Sequence, residues 1–382
     1  MFQLKMPTVV YSGENALAQI PEIIGTKVKK TAIFSDKGIL GAGLLELPLS
    51  LLKEMGVDVV LFTDLPTEPT CDEAQQVVDQ FKASGSEFII AIGGGSVMDI
   101  AKLASILGDD TIQVRDLLEQ PLLGKKYLKT LMIPTTAGTG AEATPNSIVA
   151  VPEKELKVGI VNPEMIADAV ILDGRMIQKL PRAIAASTGI DALAHAIECF
   201  TSNKATAFSN TFALEALDII LNNLKEACNN PEALEAKTKM LIASFYGGVA
   251  ITASGTTAVH ALSYPLGGKY HIPHGVANAM MLAPVLRFNA PYCQEEFSQV
   301  YDRVAQEKNQ GLTVGEKSQW VINQIEDLVH TLNIPTSLQN YGVDKKDLDA
   351  LVTAGMEVQR LLQNNKRPVT AEDARALYLE IL

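Results

Sequence analysis

Apolar residues in the first half of the chain fall into short runs separated by stretches with helical spacing. Residues 31–35, ending at Asp36, residues 57–62 and residues 87–92 are apolar and β-branched, and read as strands. Between them, residues 44–55 and 72–83 repeat apolar positions every three to four residues and read as helices. Residues 129–133 and 170–172 read as further strands. Residues 147–151 and 156–161, separated by Pro152-Glu153-Lys154-Glu155, read as a hairpin. Strands alternating with helices predict a mainly parallel sheet covered on both faces. After Pro181 the pattern changes. Ala- and Leu-rich segments at 184–200, 209–224 and 233–253 keep helical spacing, and strand-like runs almost vanish. A boundary near 175–182 follows, with an α/β domain over 1–180 and a helical bundle over 181–382. Residues 294–382 read as helical and carry no interpretable motif. No internal repeat or low-complexity tract is present.

Composition narrows the class. A length of 382 residues suits two domains, each with its own core. The formal net charge of -12 disfavours nucleic-acid binding, which needs clustered positive charge. The N-terminal residues lack the apolar centre of a signal peptide, and no apolar run is long enough to span a bilayer. Cys71, Cys199, Cys228 and Cys293 are widely spaced and form no C-x-x-C pair, so they read as reduced, buried thiols. The expectation is a cytoplasmic protein with no nucleic-acid or membrane partner.

Candidate chemistry lies in two places. Gly93-Gly94-Gly95-Ser96 follows an apolar strand and opens a helix over 97–107. Glycines let the backbone approach phosphate oxygens, and a helix N-terminus offers free N–H groups and partial positive charge. Ser96 is expected as both N-cap and phosphate donor. Thr135-Thr136-Ala137-Gly138-Thr139-Gly140 forms a second small, hydroxyl-rich loop at a strand end. Asp36 ends an early strand, where a carboxylate can bind an adenosine ribose and repel a 2′-phosphate, or can cap the helix that follows; both readings stand. Asp36 also precedes the Gly-rich turn, unlike the usual Rossmann order.

The second place is a set of metal-ligating residue types. The chain has five histidines, and four of them lie between 195 and 274. Asp191 and His195, four apart, share one helical face. His260 sits in a second helical segment and His274 in the loop or helix start that follows. One carboxylate and three imidazoles suit Fe²⁺ or Zn²⁺, and suit Mg²⁺ or Ca²⁺ poorly. Glu198, one turn past His195, is either a partner of a ligand or a helix-surface charge. His271 either lines the site and relays protons or is simply exposed. His330 reads as structural.

In this order, the motifs resemble the iron-containing (group III) alcohol dehydrogenase family. The resemblance covers most of the chain: Gly93 to Ser96 with Asp99 and Lys102, Pro134 to Gly140 with Glu142, Asp191 to Glu198, and His260 through Gly275. It implies an α/β N-terminal dinucleotide-binding domain and an all-α C-terminal domain, a dehydroquinate synthase-like architecture, with the active site in the cleft between them. It implies Asp191, His195, His260 and His274 as metal ligands. It also implies Asp36, Gly94, Gly95, Ser96, Asp99, Thr135, Thr136, Thr139 and Lys157 as cofactor contacts, and a homodimer or larger assembly. An early strand at 8–11 could pair across its interface. Three positions depart from the family pattern. Tyr264 stands where many members have a histidine, which leaves Tyr264, His271 or solvent for proton transfer. Thr67-Glu68-Pro69 replaces Pro-Asn-Pro and would set a negative charge near the cofactor. Ala141 replaces a common Ser.

The function implied is reversible hydride transfer between a primary or small polyol alcohol and NAD, with NADP less favoured and Fe²⁺ or Zn²⁺ at the metal site. The alternatives are a zinc-dependent glycerol-type dehydrogenase, a maleylacetate-type reductase and, from another class, a dehydroquinate-synthase-like lyase. Against the lyase, no extra basic residues for a phosphorylated substrate are visible beside the ligands.

Overall fold

A computed structural model describes residues 3–66, 68–154 and 156–382. Thr67 of the Thr67-Glu68-Pro69 triplet and Glu155 of the hairpin turn lie outside the described residues. The chain forms two compact units. One contains Lys5–Thr136 and Gly140–Leu180. The other contains Pro181–Leu382, Ala137–Thr139 and the N-terminal stretch through Leu4. Neither unit is one continuous stretch of chain.

The first unit is built on eight strands: β1 (Val9–Ser12), β2 (Lys30–Phe34), β3 (Asp58–Phe62), β4 (Phe88–Gly93), β5 (Thr130–Pro134), β6 (Asn146–Val151), β7 (Leu156–Val161) and β8 (Ala169–Leu172). Six of them make a sheet in the order β1-β8-β5-β4-β2-β3, and every pairing in it is parallel. The central strands β4, β5 and β8 are buried along their whole length, which is why they read as continuous apolar runs. The edge strands β1 and β3 have only exposed and half-buried positions. β6 and β7 pair antiparallel, apart from the sheet, as the hairpin pattern predicts.

Helices α1 (Ile20–Ile24), α2 (Lys37–Gly41), α3 (Glu46–Glu54), α4 (Cys71–Ser84) and α5 (Gly95–Ile106) complete this unit. Ile33, Leu52, Ile90, Leu131 and Ile171 belong to its core. The strand order positions the candidate site. From β2 the chain runs outward to β3, then returns to place β4 on the other side of β2. The direction of winding therefore reverses between β2 and β4, and a crevice opens at their carboxyl ends, where open α/β sheets bind ligands. Asp36 follows β2 and Gly94 follows β4, so both residues stand at this reversal.

The second unit is helical: α6 (Arg182–Thr201), α7 (Ala207–Asn229), α8 (Leu234–Ala253), α9 (Ala258–Tyr270), α10 (His274–Val304), α11 (Val314–Thr331), α12 (Leu348–Glu357), α13 (Gln359–Leu362) and α14 (Ala371–Glu380). α6 is buried on all sides from Gly189 to Thr201 and packs against α7, α8 and α10. Two glycines permit this. A Cβ on Gly189 would lie 2.2 Å from Leu224 Cδ1, and one on Gly275 would lie 2.2 Å from the backbone oxygen of Ser187. α10 kinks at Cys293, two residues after Pro291. All four cysteines are free and buried. Among the described residues no helix is long and apolar enough to cross a membrane.

Candidate metal centre and nucleotide cleft

Three helices of the second unit present Asp191, His195, His260 and His274 to one another. α6 carries Asp191 and His195 one turn apart, α9 carries His260 in its first turn, and α10 begins at His274. Gly275 lets the start of α10 press against the α6 backbone at Ser187. One ligand atom from each of the four residues lies within 4.8 Å of the other three. Asp191 Oδ1 is 3.8 Å from His195 Nε2, 3.6 Å from His260 Nε2 and 3.4 Å from His274 Nε2. With metal–nitrogen bonds of about 2.1 Å, ligand atoms around a tetrahedral ion sit about 3.4 Å apart. The spacing therefore fits a single divalent cation of the zinc or iron kind. Asp191, His195 and His260 are buried, and the His274 side chain, at 41 % exposure, forms the open edge.

The unused ring nitrogens are held so that each Nε2 faces the cluster. The Gly138 carbonyl lies 3.2 Å from His195 Nδ1 and can only accept, so Nδ1 carries the proton and Nε2 is bare. The Glu198 carboxylate likewise accepts from His260 Nδ1. Glu198 is buried, which settles its two readings against a surface charge. Its other oxygen accepts from Thr257 N, Thr257 Oγ1 and Val259 N, so it also caps α9.

Charge at the site follows from these contacts. Burial pushes the Asp191 carboxyl upward, but His195, His274 and His260 outweigh it and hold the group well below the ordinary carboxylate range. Burial pushes the His195 imidazole down to about 4, against the pull of Asp191. Burial would also lower His260, yet Glu198 and Asp191 raise it to about 9.

Tyr264 stands one turn along α9 from His260. Its ring centroid is 6.3 Å from that of His260 and 6.0 Å from that of His274. His271 lies at the C-terminal cap of α9, exposed and left-handed at φ 54°. Among the described residues it makes no ring contact with the cluster. Asn278, buried on α10 one turn past His274, has its Nδ2 2.7 Å from Asp191 Oδ1. Sequence reasoning missed it, although its place four residues after a ligand on one helix face is a signal.

In the first unit, a cleft of about 420 Å³ is lined by Asp36, Thr63, Asp64, Gly94, Gly95 and Ser96, among others. Gly94, not Ser96, is the N-cap of α5; its backbone is extended, and Ser96 sits in the first turn. The helix consequently starts earlier than the predicted residue 97. A Cβ on Gly93 would lie 2.7 Å from Val97 Cβ, so only glycine allows β4 to turn this tightly into α5. Asp36 Oδ1 accepts from Ile39 N at 2.9 Å and caps α2, as one of its two readings expects, and the residue also lines the cleft.

The remaining expected cofactor contacts have other partners. Asp99 is buried; Ile148 N donates to its Oδ2 at 2.9 Å, and Lys102 Nζ lies 3.3 Å from its Oδ1. It is not among the residues lining the cleft. Thr135 N donates to Gly93 O at 3.0 Å, which sets the second loop beside the first. Thr136 Oγ1 would lie 3.6 Å from a Cβ on Gly94. Thr139 belongs with the helical unit. Lys157 Nζ pairs with Glu68 Oε1 at 2.6 Å, so the charge of Glu68 is matched.

Comparison with known proteins identifies the family. The model described as "Iron-containing alcohol dehydrogenase" matches residues 7–174, and the model described as "Fe-containing alcohol dehydrogenase family, C-terminal" matches residues 185–382. The chain belongs to the iron-containing alcohol dehydrogenase family. It is thus an enzyme, an oxidoreductase of alcohols and aldehydes from a family of metal- and nicotinamide-dependent members. Long-chain-alcohol dehydrogenase 1 of Geobacillus thermodenitrificans is 30% identical over 98% of this chain and 95% of its own length. Sulfoacetaldehyde reductase of Bilophila wadsworthia is 32% identical over 93% of this chain and 92% of its own. The structure of a 1,3-propanediol oxidoreductase superposes with a TM-score of 0.93 at 27% identity, over the whole of both chains. That likeness extends the family's fold to every described element.

Proposed function

We propose that this iron-containing alcohol dehydrogenase interconverts a primary or small polyol alcohol and its aldehyde with NAD(H). In this reading Asp191, His195, His260 and His274 hold Fe²⁺ or Zn²⁺. The observation that carries it is the convergence of those four ligand atoms within 4.8 Å, three of them on buried side chains. A divalent cation bound there supplies the Lewis acidity that eases loss of an alcohol proton or polarises a carbonyl. Glu198 and the Gly138 carbonyl keep His260 and His195 in the ligating tautomer. The ring contacts of Tyr264 with His260 and His274 support a role for Tyr264 beside the alcohol, and the burial of Asp191, His195 and His260 supports a water-poor inner side.

The cleft after β2, β3 and β4 is the proposed dinucleotide site, with the pyrophosphate at the N-terminus of α5. Asp36 lines it and opposes a 2′-phosphate, which supports NAD over NADP, while Asp64, also in the lining, is paired with Lys37. Asp99, Thr135, Thr136, Thr139 and Lys157, none of which lines the cleft, are kept as further cofactor contacts on the family resemblance. β1 lies at a sheet edge, which supports a homo-oligomer formed by strand pairing. Four free buried thiols support a reducing, cytoplasmic setting.

The test is NADH oxidation by metal-free protein reloaded separately with Fe²⁺ and Zn²⁺ under anaerobic conditions. Short and hydroxylated aldehydes serve as substrates, and NADPH is run in parallel. The expected result is metal-dependent turnover with NADH favoured, and joint loss of bound metal and activity in His274→Ala. Full activity without metal would sink the reading. Metal and NAD binding without any change in NADH absorbance would favour the lyase.

A further inference from the structure

Asn278 is fully buried, and its amide faces the candidate metal ligands directly. Nδ2 lies 2.7 Å from Asp191 Oδ1, 3.2 Å from His260 Nε2 and 3.2 Å from His274 Nε2. Asp191 Oδ1 is the same atom that the three imidazole nitrogens face. On the opposite side of the amide, Ser263 Oγ lies 2.5 Å from Asn278 Oδ1 and 3.1 Å from the His260 backbone oxygen.

This network fixes which way the amide points. An ionised carboxylate only accepts, so the group beside Asp191 Oδ1 must be the NH₂ end. The carbonyl end then faces Ser263, whose single hydroxyl proton serves the shorter contact. Turning the amide over would set Oδ1 against Asp191 Oδ1 at 2.7 Å, two buried acceptors with no proton between them. Asp191 has no other side-chain hydrogen-bond donor of comparable closeness among the described residues. Its place therefore depends on a residue that is not itself one of the four ligands.

We infer that Asn278 is a positioning residue. Seated by Ser263, it holds Asp191 with Oδ1 turned toward the three imidazoles, and so sets the affinity of the site for its cation. The inference rests on the metal reading above and adds a residue to it. Loss of such an orienting partner lowers metal affinity by about 10- to 100-fold in known sites. Asn278→Ala removes the donor and leaves all four ligands in place. Ser263→Ala leaves Asn278 in place but frees the far end of its amide.

The experiment is titration of metal-free protein with Co²⁺ alone, read by its visible d–d absorption and by competition with a chelator. Thermal unfolding of the metal-free proteins is measured in parallel. The expected result for Asn278→Ala is a Kd raised by about 10-fold or more, with a weaker d–d band. The melting curve of the metal-free variant shows that it is folded at the temperature of the titration. Ser263→Ala should show a smaller loss in the same direction. A Kd for Asn278→Ala within about twofold of the unaltered protein would overturn the inference. If Asn278→Ala fails to fold, Ser263→Ala decides: several-fold weaker Co²⁺ binding supports the inference and unchanged binding overturns it. No Co²⁺ absorption by the unaltered protein would overturn the metal reading itself, a separate failure.

Discussion

Glu142 is buried, its Oε1 has no hydrogen-bond partner, and burial pushes its carboxyl up to about 7 against the pull of Lys102. The unfolded chain releases this proton near the ordinary value of 4.5, so the folded chain holds it over the window between. In that window the native state binds more protons than the unfolded state, and stability falls as pH rises. Above the folded value the loss is complete, on the order of 3 kcal/mol. Glu142→Gln keeps the shape and cannot ionise. Urea unfolding at pH 5 and pH 8 should show that this variant loses less stability on the rise than the unaltered protein. Equal losses in both would show that Glu142 ionises freely in the fold. Other single residues were only half legible. Glu198 was visible as one turn past His195, but its choice between partner and surface charge needed the position of α9. Asn278 was in view four residues past His274, yet nothing in one sequence marks an amide as facing a carboxylate on another helix.

At the level of elements, the turn from β4 into α5 sets how closely the proposed dinucleotide would approach the backbone. Gly93 and Gly94 adjoin and serve different ends. A Cβ on Gly93 meets Val97 Cβ at 2.7 Å, whereas one on Gly94 meets Thr136 Oγ1 at an ordinary 3.6 Å. Gly93→Ala should therefore push α5 from β4 and cost roughly 1–3 kcal/mol, the usual penalty of overpacking. Gly94→Ala should leave stability nearly unchanged but put a methyl into the cleft and weaken NADH binding. Urea melts and NADH fluorescence titrations separate the two effects. Weakened binding with Gly93→Ala alone would place the dinucleotide elsewhere. The segments themselves were readable because β4, β5 and β8 are apolar on both faces and α4 opens with a Thr70–Glu73 capping box. The start of α5 was read late because Gly94 caps the helix by backbone conformation alone, without a side-chain signal.

At the scale of the whole chain, a cation that joins α6, α9 and α10 binds only the folded helical unit and so stabilises it. Bound at a thousand times its Kd, such a ligand adds about 4 kcal/mol. Calorimetry of the reloaded protein with and without a chelator should show a lower melting temperature after chelation. His274→Ala, which breaks the ligand set, should melt at one temperature under both conditions. Equal melting of the unaltered protein in both conditions would mean that the four residues hold no ion that matters to folding.

The sequence by itself determined the class of each element, since burial on both faces or one stripe is written into its apolar period. It also singled out Asp191, His195, His260 and His274, which the fold brings together. The order of motifs was enough to indicate the family. Only the tertiary structure decided the rest. Strand order is set by which apolar faces can be covered together, and it alone brings Asp36 beside Gly94 across a winding reversal that the linear order conceals. The tautomers of His195 and His260, the role of Glu198 and the amide of Asn278 depend on contacts 15 to 87 residues apart in sequence. Such contacts have no local periodicity to betray them. They arise when small residues such as Gly189 and Gly275 let helices approach until buried polar groups on different helices meet.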